Sequence, residues 1–247
     1  MNSSTPSKPK AAALIIGAEV LSGKVSDQNG PYLIRELRPR GIELTEIRII
    51  GDSIETISQS VRELYANNDY VFTTGGIGPT HDDVTIEGVA AALDRPVLRS
   101  PILEQKLREH FGDRLNKSRL KLADIPEGAH VEMVTPVLPL IRLENIFIFP
   151  GVPELMVQSF EHIAHELKGT PFVCRHVTIQ GSESAMADHL RNVQSAYPQV
   201  QIGSYPRFLE NGCEVKITVD GRLAKDVEQA LEEIIAGLDK ERIIQQN

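Results

Sequence analysis

The chain predicts a doubly wound α/β layer sandwich followed by a small α+β domain, and three observations lead there. Short apolar runs alternate with segments of helical apolar spacing, in the order βαβαβα. The runs end on glycines that open loops, at Gly17, Gly51 and Gly75. A Gly169-Thr170-Pro171 break then separates this pattern from a second, shorter one. At 247 residues the chain is long enough for one large or two unequal domains.

Taken in order, residues 11–17 form a continuous apolar run, as expected for a buried parallel strand. Residues 27–40 show helical spacing through Tyr32, Leu33, Ile34 and Leu37, with Pro31 in the first turn and Gly41 as the stop. Residues 43–50 read as the second strand. Ser53 opens a helix carrying Ile54, Ile57, Val61 and Leu64. A strand over 69–73 leads into a glycine-rich loop, then a helix pattern with Val84, Ile86, Val89, Ala90 and Leu93. Residues 101–119 read as a charged helix, and 120–136 as irregular. The run 146–149 is a strong strand ending at Pro150-Gly151, and Pro153 starts a helix reaching residue 167. Beyond the break, strand (172–179), helix (183–196), strands (200–203 and 215–219) and helix (222–238) make a βαββα unit, about half of a ferredoxin-like sandwich. The expected division is a disordered tail over 1–10, a first domain over 11–168 and a second over 172–247.

An apolar content of 41% and a charged content of 24% are those of a soluble globular protein. A net charge of −8, with no Lys/Arg run, argues against a nucleic-acid surface. The first ten residues lack the apolar core of a signal peptide, and no apolar stretch is long enough to span a bilayer. A cytoplasmic protein without membrane contact is expected. Cys174 and Cys213 have no metal-ligand spacing; two reduced thiols are expected, a single disulfide being the alternative.

Residues 73–85, Thr-Thr-Gly-Gly-Ile-Gly-Pro-Thr-His-Asp-Asp-Val-Thr, are the most informative stretch. Gly75, Gly76 and Gly78 can take positive φ and bare their N–H groups between a strand and a helix, an arrangement suited to phosphate. Asp82 and Asp83 at the helix entrance would repel such a ligand unless a metal or another cation intervenes. One of them can serve as a helix cap, which leaves the other in need of a different reason. The α/β alternation also puts Glu19, Asp27 and Asp52 on the same rim of strand ends. Asp27 as a cap and Asp52 in a Gly-Asp turn are the local alternatives. Oxygen donors of this kind suit magnesium, manganese or cobalt-class divalent ions.

Other motifs are weaker. Residues 17–25 mimic a P-loop, but the glycine spacing is one residue too long and Val25 stands where a magnesium-binding hydroxyl is required. The loop at 75–81 misses the dinucleotide G-x-G-x-x-G spacing. His162 and His165 read as part of a solvated, mixed-charge helix face, and Ser182 and Ser184 lack a nucleophile elbow.

The 73–85 motif resembles the signature of the MoaB/MogA molybdopterin-binding superfamily. The chain around it is similar to the N-terminal part of the CinA (competence/damage-inducible) family and to the molybdopterin-binding-like domain of eukaryotic FAD synthases. Supporting matches are residues 17–23, Asp27-Gln28-Asn29, Gly51-Asp52, Asn145-Ile146-Phe147, residues 149–155 and Gly203-Ser204-Tyr205-Pro206. The resemblance implies a three-layer α/β domain that binds a pterin or nucleotide pyrophosphate over the glycine loop, usually in dimers or trimers. It implies Thr74, Gly75, Gly76, Gly78, Pro79, Thr80 and Asn29 as ligand-binding positions. Asp83, Asp82 and Asp52 would be catalytic, and Glu19, Asp83 and Asp27 would carry the metal. A monovalent cation is a further candidate, and no tightly bound organic cofactor is expected.

In MogA-like members the aspartate matching Asp83 serves adenylyl transfer to molybdopterin; CinA-like and FAD-synthase relatives are associated with hydrolysis of ADP-ribose and FAD. Three features depart from the pattern. Ala18 replaces a potential ligand, Leu138-Pro139-Leu140-Ile141 replaces the usual Ala-Pro-Gly-Phe, and Asp82 stands where MogA has a basic residue. The last favours metal-dependent hydrolysis over adenylyl transfer. With the sequence ending at Asn247, nicotinamide-mononucleotide deamidation and FAD synthesis are not expected of this chain. The leading expectation is a divalent-metal-dependent dinucleotide pyrophosphatase. Alternatives are a molybdopterin-binding or adenylyltransferase protein, and a non-catalytic nucleotide- or pterin-binding module.

Overall fold

The computed structural model describes residues 8–210 and 212–246, and these divide into two compact units at Gly169/Thr170. In the first, β1 (Lys10–Ile16) leads through the short α1 (Ala18–Leu21) and α2 (Asn29–Leu37) to β2 (Glu43–Ile50). Then come α3 (Ile54–Asn67), β3 (Tyr70–Thr74), α4 (Thr85–Ala92) and β4 (Val97–Arg99). α5 (Pro101–Phe111), α6 (Lys117–Leu120), β5 (Asp124–Pro126) and β6 (His130–Met133) follow, and β7 (Pro139–Leu143), β8 (Ile146–Phe149) and α7 (Pro153–Ile163) complete the unit.

The main sheet has the order β2-β1-β3-β8-β7-β6; the first four strands are parallel, while β7 and β6 close one edge antiparallel. β4 and β5 form a separate antiparallel ribbon. Strand alternation sends the side chains of β1 to two cores. Ala12, Leu14 and Ile16 pack with Ile57, Val61 and Leu64 of α3 and Val89 of α4. Ala11 and Ala13 face Leu33 and Leu37 of α2 and Phe160 of α7. This is a three-layer α/β sandwich. Phe72 anchors the second core, stacked on Phe149 at 5.8 Å and tilted against Phe147 at 5.5 Å.

Three expectations need correction. The helix expected over 101–119 stops at Gly112 and resumes only as α6, separated by a single 3₁₀ turn. The irregular stretch 120–136 contains β5 and β6, whose three and four residues are too short to show a period. The tail ends earlier than residue 10: the Pro9 carbonyl accepts from Glu43 N at 2.9 Å, and Lys10 opens β1. Residues 1–7 of that tail lie outside the described residues.

The second unit runs β9 (Val173–Gln180), α8 (Ala187–Ala196), β10 (Gln201–Leu209), β11 (Gly212–Gly221), α9 (Ala224–Ala236) and β12 (Ile243–Gln246). Its sheet, β10-β11-β9-β12, is antiparallel throughout. Val177, Val215, Ile217 and Val219 face Leu190 and Val193 of α8 and Val227 and Ile234 of α9. The unit is thus α+β with its own core, and β12 is a strand that the βαββα reading lacked. Cys174 and Cys213 are in the reduced form. Among the described residues, no helix is long and apolar enough to cross a membrane.

Candidate functional site

The parallel strands β1, β2, β3 and β8 all end on one rim, and backbone bonds join their exits. Gly17 N donates to the Ile50 carbonyl at 3.0 Å, and Gly75 N to the Phe149 carbonyl at 3.2 Å. Gly75 (φ 97°) and Gly76 (φ 62°) are the two left-handed residues of the loop. A β-carbon at 75 would lie 2.1 Å from the Ile16 carbonyl oxygen, and one at 76 would lie 2.4 Å from Thr85 Oγ1. Thr85 fixes this turn, donating its hydroxyl to the Gly75 carbonyl (2.8 Å) and its N–H to that of Gly76 (2.9 Å). These two glycines therefore admit the chain's own packing first.

What remains open is backbone. Among the described residues, the N–H groups of Gly76, Ile77 and Gly78 have no hydrogen-bond partner, and all three residues line a cavity of about 650 Å³. Glu19 and Asp83 line it too. Each carboxylate folds over a glycine: β-carbons on Gly17 and Gly78 would sit 2.5 Å from oxygens of Glu19 and Asp83. Much of the remaining lining is apolar, with Leu103, Leu107 and Phe111 of α5 joined by Leu122, Val137 and Leu155. Lys106 and Lys121 are the cations on the lining, and the His110 imidazole lies beside them.

The other expected site residues have structural partners. Asp27, one residue before the N-cap Gln28, accepts from the N–H groups of Asn29 (3.0 Å) and Gly30 (3.1 Å) and so ties down the first turn of α2. Asp52 accepts from Ala18 N at 2.8 Å, binding the β2 exit to α1. Neither lines the cavity. Asn29 and Thr74 are buried; the Asn29 amide donates to Thr74 Oγ1 (3.2 Å) and to the Gly151 carbonyl (3.0 Å), a brace beneath the loop. Pro79 and Thr80 are exposed and outside the lining. Glu19, Asp27 and Asp83 therefore do not converge: the described residues contain no group of three carboxylate, imidazole or thiolate side chains placed to hold a metal.

Asp82 and Asp83 also differ from expectation, since neither caps α4. The N-cap residue is Val84, which makes no side-chain capping bond. Asp83 Oδ2 instead accepts from Thr80 N (2.7 Å) and Thr80 Oγ1 (2.5 Å). The same hydroxyl shares its single proton with Asp82 Oδ1, and this hydrogen bond, followed by one from the backbone and the charges of His81 and Lys121, holds the Asp82 carboxyl below its usual range. Sequence reasoning missed Lys121, which nothing in its neighbourhood marks, and the apolar wall. The stripe Leu103, Leu107, Phe111, at i, i+4, i+8, was the signal for the wall.

The carboxyl edge of the parallel sheet thus carries a glycine loop with open backbone N–H groups in a largely apolar cavity, the strand-end position at which α/β proteins as a class place their ligand sites. Residues 12–169 match the family described as "Probable molybdopterin binding domain", and the chain belongs to that family. Residues 171–247 match "FAD synthase, middle domain". A protein of Archaeoglobus fulgidus is 33% identical over 78% of this chain and 83% of its own length. A "Probable FAD synthase" of Caenorhabditis elegans is 29% identical over 94% of this chain, which spans 51% of that relative's length. The crystal structure of CinA from Thermoplasma acidophilum superposes with a TM-score of 0.60 at 24% identity, over 65% of this chain and 98% of the other. That likeness is one of fold. The chain is thus a member of the molybdopterin-binding-domain family that shares its fold with CinA.

Proposed function

We propose that the glycine-loop cavity is the active site of a divalent-metal-dependent dinucleotide pyrophosphatase, cleaving ADP-ribose or FAD to AMP and the remaining half. The observation that carries this reading is the set of unpartnered amides at Gly76, Ile77 and Gly78 in the same cavity as the carboxylates of Glu19 and Asp83. The amides would bind the pyrophosphate oxygens. The apolar wall would take a base or ring, and about 650 Å³ leaves room for more than a phosphate group.

The donor set bears on the metal. Of the three carboxylates on the lining, Asp124 is paired with Arg99, and Asp27 and Asp52 lie off it engaged by backbone N–H groups, which leaves Glu19 and Asp83, too few for a protein-only cage. Magnesium-class ions commonly take one or two carboxylates and complete their shell with substrate phosphate and water, so Glu19 and Asp83 fit a metal brought with the ligand. Such an ion supplies Lewis-acid polarisation of the phosphoanhydride. Asp83 would orient the reacting end, while Asp27 and Asp52 keep the rim in shape. A homo-oligomer is part of the same proposal.

Incubation with ADP-ribose, FAD or NAD across a divalent-metal series, reading AMP, tests this. Metal-dependent AMP release from ADP-ribose or FAD supports it. The family description favours one other occupant, a pterin. Molybdopterin bound to the purified protein, with no AMP released from any dinucleotide, would replace the hydrolase by a carrier or adenylyltransferase.

A further inference from the structure

The glycine loop is anchored unevenly. Its first half is tied to the sheet and to α4 by Gly75 N to the Phe149 carbonyl and by both Thr85 donors. Its second half, 78–83, bonds mostly to itself through Thr80, Asp82 and Asp83. Among the described residues, the hydrogen bonds tying 78–83 to anything outside the loop come from Lys121, whose ammonium donates to the carbonyls of Thr80 (3.3 Å) and Asp83. Its third contact is Glu87 Oε1 at 3.4 Å.

Three donors thus meet three acceptors, so the ammonium is engaged in holding the loop. The surrounding charge gives it a second effect. Asp82, Asp83 and Glu87 are three carboxylates within one loop and helix start, and Glu87 Oε2 is buried without a partner. Lys121, half-buried on the wall of the same cavity, offsets them where an anion must enter.

We propose that Lys121 is a positioning residue of this site: by gathering the Thr80 and Asp83 carbonyls it keeps the Asp83 carboxylate over Gly78 and leaves the Gly76–Gly78 amides open to an anion. This rests on the reading of the loop as a phosphate site, but not on hydrolysis. The test is calorimetric titration of the full chain with inorganic pyrophosphate, for wild type, K121M and K121R, alongside melting temperatures.

K121M should bind about tenfold more weakly or worse, the worth of a lost charge-assisted hydrogen bond, with its melting temperature little changed. K121R, which keeps charge and donors, should recover most of the affinity. Should K121M not fold, K121Q replaces it under the same criteria. Wild-type affinity no better than that of K121M overturns the assignment, and so does a loss that K121R fails to repair. Wild-type protein that binds pyrophosphate yet releases no AMP refutes the hydrolase reading and leaves Lys121 in place.

Discussion

Asp83 folds its carboxylate back onto Gly78, so closely that a β-carbon at residue 78 would lie 2.5 Å from Oδ2. The missing side chain of Gly78 thus makes room for an acid and not for a ligand. Gly78→Ala should leave the fold intact, because the obstructing atoms belong to a side chain that can swing away. It should displace Asp83 and reduce AMP release at least about tenfold, roughly 1.4 kcal/mol in the barrier. Full activity in Gly78→Ala would show that the Asp83 position over the glycine is incidental.

Gly75 behaves differently, since its obstacle is the Ile16 carbonyl and its φ is 97°. Gly75→Ala should destabilise the first unit by about 3 kcal/mol or more, whatever it does to binding. Urea unfolding measures this. A mutant as stable as wild type would mean that the β1 exit gives way more easily than its packing implies. Gly76→Val meets Thr85 and a left-handed φ, so it should lose both stability and ligand binding.

The two aspartates should separate by function. Asp83 lines the cavity, whereas Asp82 is exposed and outside it. Asp83→Asn should cut turnover at least ~100-fold, of order 3 kcal/mol in barrier, while Asp82→Asn changes it modestly. Because neither residue caps α4, both should melt close to wild type, Asp82→Asn losing only the small share of an exposed, hydrogen-bonded carboxylate. Equal AMP release from Asp83→Asn and wild type removes the residue from the mechanism.

Thr80 holds the Asp82 carboxyl below its usual range, so Thr80→Val should move that titration upward toward the ordinary value. A carboxyl held low in the folded state adds stability above its unfolded pKa, and that share is lost as pH falls through the folded pKa. The mutant should therefore keep only the smaller acid-side dependence left by the backbone bond and the charges of His81 and Lys121. Carbon-detected NMR titration of Asp82 reads it directly, and an unmoved carboxyl would assign the shift to the backbone.

The first unit should fold by itself. Its two cores draw on residues between 11 and 167, and the third core only on residues from 173 onward. Gly169 belongs with the first unit, since its N–H donates to the Arg40 carbonyl at 2.8 Å. A chain ending at Thr170 should melt cooperatively and bind pyrophosphate. A broad, non-cooperative transition would refute this.

The layered fold was legible because β1, β3 and β8 are apolar runs and α2, α3 and α7 carry regular stripes, so period and order coincide with burial. β5 and β6 were not legible, because strands of three and four residues are held by pairing partners distant in sequence. At the site, the loop and Asp83 stand out as a motif, and so did the rim. Which rim carboxylates stay free was hidden, because Asp27 and Asp52 are taken by amides whose positions only the folded backbone sets. Lys121 gave no signal, as a lysine acting on carbonyls some forty positions away leaves no spacing to read.

Asn29 binds Thr74 and Gly151 with one amide group, and Gly75 fits only against Ile16 and Gly151. The ligand loop is therefore not a portable cassette. Transplanting residues 74–83 onto another parallel sheet would leave the loop without its underside unless the start of α2, the exit of β8 and Thr85 travelled with it. Substitutions that retune the site without dismantling it belong on the apolar lining, at Leu107, Phe111 or Val137, where side chains meet the cavity and no backbone bond of the loop depends on them.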